Sequence, residues 1–439
     1  MNTDEIVQLC KQHTLYSWSA GGGVKPIPMA KAEGIYFWTT EGKRYIDFNS
    51  QLMSVNIGHG HPRVRDAIKA QADELMFAMP SAATAVRARL GKMLADLTPD
   101  PINTFFFTLG GAEANDNALR AAKLYTGRQK VLARYRSYHG ASGATISLTG
   151  DPRRWPNEPG VGGVIHVLDP SPYEFSFGTT EEEITARSLS YLEEVIKSEG
   201  AHTIAAFFLE TVTGTNGILV PPKGYLKGVR ALCDKYGIVM ICDEVMAGFG
   251  RTGSVYAFEH FGVVPDIVTA AKGLTSSYLP LGMMGISDAI AEHFQKNVFW
   301  GGLTYNAHPM LLACAEANIR VMLDEGMIEN AAALEKVQRS EMDRLKAKHP
   351  SVKEGRCIGL FGIIELQKNA QGEPLAPFNS SSPAMDQLKV AFDERGLFTF
   401  VRWNAFMCNP PLCITEEQLR EAYAIIDDCL DVADRHFEG

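Results

Sequence analysis

Hydrophobic and polar positions change period several times along the chain. The stretch "GIYFWTTEGKRYIDF" (34–48) holds two aromatic, β-prone runs on either side of Glu41-Gly42, a pattern that predicts a hairpin after a short N-terminal helix. From about residue 62 to 310, short apolar runs alternate with segments of helical period. The clearest unit is "TIAAFFLETV" (203–212), "PPKGYLKGVRALCDKYG" (221–237) and "IVMICDEV" (238–245). In its middle piece Tyr225, Leu226, Val229, Leu232, Cys233 and Tyr236 recur at helical spacing, with Pro221-Pro222 ahead and Gly237 at the end, the usual helix punctuation. Two continuously apolar strands around one helix predict a βαβ unit of a buried parallel sheet. The run "DIVTAA" (266–271) supplies the next strand.

Beyond about residue 313 the texture changes. An amphipathic stretch (313–348) leads to the apolar strand "LFGIIEL" (360–366), then to helices and the strand-like "LFTFVRW" (397–403). The expected fold class is α/β: a large domain (59–312) with a mostly parallel sheet flanked by helices, and a smaller α/β domain. The N-terminal segment (1–58) and the C-terminal part (313–439) are expected to build that smaller domain together. Ligands of such sheets bind beyond the carboxyl ends of the strands, often at a domain junction.

Bulk properties narrow the function. The 439 residues can bury a sizeable core, and 46% hydrophobic with 21% charged residues is ordinary for a globular protein. A net charge of −9 argues against a nucleic-acid partner. No apolar run is long enough to span a membrane, and the acidic opening "MNTDEIVQLCKQ" does not read as a secretory signal. None of the eight cysteines forms a CxxC or lies near histidines at metal-ligand spacing. Free thiols in a cytoplasmic protein, and no metal site, are the expectation.

Four features fall at predicted strand ends or turns. Lys272 closes "IVTAA" and is followed by Gly273, Thr275, Ser276 and Ser277; a desolvated lysine loses its proton readily and can attack a carbonyl carbon. Asp243 follows the apolar "IVMIC", where a carboxylate needs a cation, and a pyridinium nitrogen is one. Gly110-Gly111 precede a helical run that ends at Gly127, and free N–H groups at a helix start suit a phosphate. Tyr138 and His139 in "RSYHGASG" place an aromatic ring for a flat ligand. Each alone has a plainer reading: a surface lysine, a salt-bridged aspartate, a strand-ending glycine pair, a core tyrosine and histidine. Together they are the parts needed to hold pyridoxal phosphate.

With those residues in place, the chain resembles a class III aminotransferase of the pyridoxal-phosphate fold type I superfamily, and is most similar to the ω-amino acid and amine:pyruvate branch. The likeness runs from "PIPMAKAEGIYFWTTEGKRYIDF" through "DEVMAGFGRTG" and "AAKGLTSSYLPLG" to "TYNAHP" and "PPLCITEEQL". It implies that Lys272 binds the cofactor aldehyde and later moves the proton, and that Asp243 holds the pyridine nitrogen. Tyr138 and Val245 should lie against the two ring faces, and Glu210 near the cofactor. Gly111 and Ala112 should bind the phosphate, and Thr304 should reach the phosphate of a partner subunit in a homodimer with shared sites. Whether dimers pair into a tetramer stays open. Arg402 should take the substrate carboxylate, and Trp18 and Met53 should line the substrate pocket. Two departures stand out: the phosphate turn is Gly110-Gly111-Ala112 where relatives commonly have Ser-Gly-Ser, and "ETVTGTNG" replaces the common Glu-Pro-x-x-Gly.

The implied activity is ping-pong transfer of an amino group from an ω-amino acid or amine to a keto acid, pyruvate by resemblance. A mutase, racemase or decarboxylase on the same scaffold would share Lys272 and Asp243. A non-catalytic regulator would need an added nucleic-acid-binding module, and no basic extension is present.

Overall fold

The computed structural model describes residues 1–439. The predicted hairpin forms near the N-terminus: β1 (Met29–Glu33), β2 (Tyr36–Thr39) and β3 (Arg44–Asp47) run antiparallel in sequence. The central sheet holds β4 (Ile102–Thr108), β5 (Lys130–Arg134), β6 (Val164–Val167), β7 (Ile204–Glu210), β8 (Val239–Asp243), β9 (Ile267–Ala270) and β10 (Gly282–Ser287). Their order is β4-β10-β9-β8-β7-β5-β6, and only β10 runs against its neighbours. The βαβ unit is present as expected, with the helix Tyr225–Tyr236 linking adjacent parallel strands β7 and β8. A last sheet of β11 (Val352–Ile358), β12 (Phe361–Leu366), β14 (Val401–Arg402) and β15 (Ala405–Cys408) lies in the C-terminal part, where β13 (Leu397–Phe398) precedes β14.

The continuous apolar runs follow from burial on both faces. Phe207, Leu209, Met240 and Cys242 point into one hydrophobic cluster, while Ala206, Phe208, Val239 and Ile241 point into another, as the two-residue period of a strand requires. The helix Gly111–Thr126 packs Ala118, Leu119, Ala121 and Ala122 into the second cluster. Glu210, Asp243 and Thr269 continue that same face, and they sit side by side in register at the carboxyl ends of β7, β8 and β9. The start of the helix Gly111–Thr126 therefore meets three polar side chains at one edge of the sheet.

One expectation needs correction. The strand-like "LFTFVRW" is not one strand: β13 pairs parallel with β3, whereas β14 pairs antiparallel with β15. The break comes at Thr399-Phe400, where the Thr399 hydroxyl donates to Met407 O at 2.5 Å and Met407 N donates to Phe400 O at 3.0 Å. The chain thus crosses from one sheet to another, and this joins both ends of the sequence. The amphipathic stretch 313–348 spans two helices, Pro309–Asp324 and Met327–Lys348, split at Gly326 with a left-handed φ of 61°. The first of these carries the chain across residue 312 without a break. Six of the eight cysteines are buried thiols. No helix is long and apolar enough to cross a membrane.

One buried cation ties these parts together. Arg251, from the "GFGRTG" turn, is fully buried and has no carboxylate within salt-bridge distance. Its Nη1 donates to Leu360 O (3.1 Å) and Pro410 O (2.5 Å), and its Nη2 donates to the Ser50 hydroxyl and Asn56 Oδ1, both at 3.0 Å. Burial pulls its pKa down to about 9. Replacing it with methionine keeps the bulk but strands four buried acceptors, each costly to leave unpaired. Arg251→Met is expected to lower the urea-unfolding midpoint, with a loss of about 3 kcal/mol.

Candidate active site

The cavity at the carboxyl end of the central sheet has a volume of about 810 Å³. Trp18, Met53, Gly111, Ala112, Tyr138, Glu210, Asp243, Val245, Lys272 and Arg402 all line it. Thr304 does not: it lies exposed on the loop before the helix Pro309–Asp324.

Asp243 forms the floor. Its Oδ2 accepts hydrogen bonds from Asn115 Nδ2 and His139 Nδ1, each at 2.8 Å, and its Oδ1 accepts from Val245 N at 3.0 Å. Asn115 sits one turn into the helix from Gly111 and accepts in turn from the Thr269 hydroxyl at 2.6 Å. The carboxylate keeps the His139 proton on Nδ1, and the buried Nε2 has no partner. Beside it, both oxygens of Glu210 are used, by Tyr138 N (2.9 Å) and Gly214 N (2.7 Å); burial pushes its pKa above the ordinary carboxylate range. The neighbouring Glu244 faces away and has a structural role, accepting from the Thr211 hydroxyl, Ala257 N and Phe258 N.

Lys272 enters directly after β9 with φ 44°, a left-handed conformation unusual for a side chain of its size. The small and hydroxyl residues behind it hold the turn. A Cβ on Gly273 would lie 2.4 Å from Asn56 Nδ2 and 2.9 Å from Phe249 Cβ, so only glycine fits. Asn318 Nδ2 donates to Gly273 O and Leu274 O, the Thr275 hydroxyl donates to Leu279 O, and the Ser276 hydroxyl accepts from Ile57 N. Burial pulls the Lys272 ammonium down to about 8, against the upward pull of the Asp243 and Glu210 charges. The unprotonated amine is therefore present near neutrality in far larger amount than for an ordinary lysine, whose pKa is about 10.4.

The helix Gly111–Thr126 opens on Gly110 without a side-chain cap, which leaves its first N–H groups free. The single acid there, Glu113, is turned back onto Leu109 N at 2.8 Å. A Cβ at Gly111 would meet Val245 Cγ1 at 2.8 Å, and one at Gly140 would meet Ala112 Cβ at 2.6 Å. The turn thus makes close backbone approach possible where hydroxyl side chains are missing.

The opposite wall is cationic. Arg153 lies over the Tyr138 ring, 3.6 Å from its centroid, and Trp18 meets that ring edge-on at 6.1 Å. Asp151, with no exposed side-chain surface, accepts from Arg153 Nη2 at 2.5 Å and from Arg402 Nη2 at 3.1 Å. Arg402 belongs to β14, an edge strand, yet its side chain is only 14% exposed and stacks on Trp403 with its guanidinium carbon 4.3 Å from the ring centroid. Met53 is buried at the end of a segment in which Ser50, Gln51 and Met53 all have positive φ, held by Asp47 carboxylate contacts to Gln51 N and Nε2. Asn115, Arg153 and Asp151 are the site residues that sequence reasoning missed. The four-residue spacing from Gly111 to Asn115 was a usable signal; "GDPRRW" offered none.

Pyridoxal phosphate fits this donor set. A lysine amine of lowered pKa, a buried carboxylate, an uncapped helix start with a glycine turn and an aromatic side chain all line one cavity.

Comparison with known proteins agrees with this geometry. Residues 18–430 match the family model described as aminotransferase class-III. The putrescine–pyruvate aminotransferase of Pseudomonas aeruginosa is 33% identical over 415 residues, covering 92% of this chain and 90% of that protein. The taurine:2-oxoglutarate aminotransferase of Bifidobacterium kashiwanohense, solved in complex with pyridoxal phosphate and glutamate, superposes with a TM-score of 0.96 at 39% identity, covering 99% of both chains. An (S)-enantioselective ω-transaminase from Thermomicrobium roseum gives a TM-score of 0.93 at 37% identity, covering 99% of this chain and 100% of its own. This chain belongs to the class III aminotransferases, pyridoxal-phosphate-dependent enzymes of fold type I.

Proposed function

We propose that the enzyme moves an amino group from an ω-amino acid or amine to a keto acid, with pyruvate as acceptor, by a ping-pong mechanism. One observation carries the reading: Arg402, a guanidinium of the kind that can pair with a carboxylate, lines the same cavity as Lys272 and Asp243. The pyruvate-dependent relative in Pseudomonas aeruginosa supports the acceptor.

Asp243 would hold the pyridine nitrogen, the Gly111-Ala112 N–H groups the phosphate, Tyr138 and Val245 the ring, and Lys272 the aldehyde carbon. When bound, pyridoxal phosphate supplies that aldehyde and a ring that accepts the electrons released when the donor carbon loses its proton. Lys272 Nζ would be the group that takes the proton from the donor carbon and returns it, and its lowered pKa suits both directions. Asp243 would keep the ring nitrogen protonated, and Asn115 and His139 keep Asp243 in place. Glu210 holds the Tyr138 backbone and the Gly214 turn. Trp18 and Met53 form apolar pocket wall for the donor.

The same reading makes residues 1–58 and 313–439 the smaller domain and the active enzyme a cytoplasmic homodimer. Thr304 would then serve the partner's phosphate. Its exposure supports this, as do the exposed aromatic residues of the same stretch, Trp300 at 73% and Tyr305 at 52%.

An absorption experiment tests the function. The loaded protein should show a yellow band that collapses with β-alanine or a simple amine and returns with pyruvate. Lys272→Ala should retain cofactor without that band. Loading of cofactor-free protein should speed up as pH rises through about 8, where Lys272 loses its proton, rather than near the usual lysine value of about 10.4. A band that cycles with an α-amino acid and needs no keto acid would point to a mutase or racemase. Arg402→Ala should lower kcat/KM for pyruvate roughly 50-fold, the worth of a charged hydrogen-bonded contact. Oxidation of an amine without a carboxylate should change far less; equal losses in both half-reactions would remove this role from Arg402.

A further inference from the structure

The guanidiniums of Arg153 and Arg402 share one partner, Asp151. Two such cations repel, and in a cavity with little water the repulsion is only weakly screened. Burial and the Arg153 charge both act to lower the Arg402 pKa, and Asp151 opposes them. Asp151 Oδ2 stands between them, and Asn216 Nδ2 donates to the same oxygen at 3.1 Å. Its Oδ1 caps the turn Pro152–Asn157 through Arg153 N at 3.0 Å. Arg402 Nε, buried, has no partner, so a donor remains for a ligand. The Asp151 pKa is held below the ordinary carboxylate range by Arg153 and Arg402 in spite of burial. It stays ionised at any working pH.

We propose that Asp151 is a positioning residue for substrate. By holding Arg402 inward beside Arg153, it builds a two-guanidinium cradle with one net positive charge, matched to a single anionic group on the substrate. The inference rests on the transaminase reading and names what sets the arginine in place. Without Asp151, Arg402 is free to leave the cavity along the aromatic groove behind it, where Tyr173, Phe378 and Trp403 pack together and Arg136 already stacks on Tyr173.

The decisive variant is Asp151→Asn. Asparagine caps a turn as well as aspartate does, so the variant removes charge without removing the cap. Calorimetric titration of the loaded enzyme with propionate, a carboxylate with no reactive carbonyl, should show at least a roughly tenfold weaker Kd, the loss of one charged contact. KM for pyruvate should rise in step, kcat should change much less, and the absorption band and the half-reaction with a carboxylate-free amine should be preserved. In an Arg402→Ala background the same substitution should weaken propionate binding no further, because the loss runs through Arg402. Unchanged or tighter propionate binding overturns the proposal, as does an additive loss in the double variant. If the unaltered enzyme exchanges amino groups with no keto acid, the transaminase reading fails instead, and the two failures are distinct.

Discussion

The site depends on keeping one carboxylate charged in a place where water cannot solvate it. Asp243 is 4% exposed at the end of a strand buried on both faces. Such a group is stable only with donors on every side. Asn115 and His139 approach one oxygen and Val245 N the other. Asn115 comes from the helix that brings its free N–H groups to the same edge, and His139 follows the tyrosine that lines the cavity. Meeting the needs of one buried charge therefore fixes the relative positions of the helix start, the aromatic ring and the strand ends. Lys272, one strand over, gains the opposite benefit: desolvation frees its amine while Asp243 and Glu210 limit how far its pKa falls.

The same constraint recurs at two other buried charges. Arg251 has no acid partner, and its two Nη groups donate to carbonyl and hydroxyl oxygens from the N-terminal segment and the C-terminal part. It fastens the chain ends onto the central sheet. Asp151 does for the cationic wall what Asn115 does for Asp243, holding a charged side chain at a set angle to the cavity. Polar residues at these points specify geometry more than they stabilise the fold.

Most of this was legible from sequence where local pattern and tertiary position coincide. The parallel sheet followed from continuous apolar runs, because burial on both faces leaves no alternation. Lys272 and Asp243 were legible because a charge that ends a buried strand must meet a partner out of water. Elements whose place depends on distant pairing were not. The residues 397–403 have one β-prone texture, yet β13 and β14 join different sheets, one through the N-terminal strand β3 and the other through the neighbouring strand β15. Arg153 and Asp151 stand in a short turn, and only the fold brings Arg402 to within 3.1 Å of Asp151, 251 positions along the chain. Asn115 belonged to a helix whose start was expected, but its contact with Asp243 needs the register of helix on sheet.

The most direct test of the central claim is the spectral titration of Asp243→Asn. Asparagine keeps the shape and can still meet Asn115 and His139, but it cannot hold a protonated ring nitrogen by charge. The variant should still take up pyridoxal phosphate and fold normally, yet convert amine donors about 100- to 1,000-fold more slowly, the effect of losing a stabilising group in a water-poor site. Its loading should also become effective at lower pH, because the Asp243 charge no longer raises the Lys272 pKa. Donor conversion at the unaltered rate, with an unmoved pH midpoint, would contradict the claim that this carboxylate organises the site.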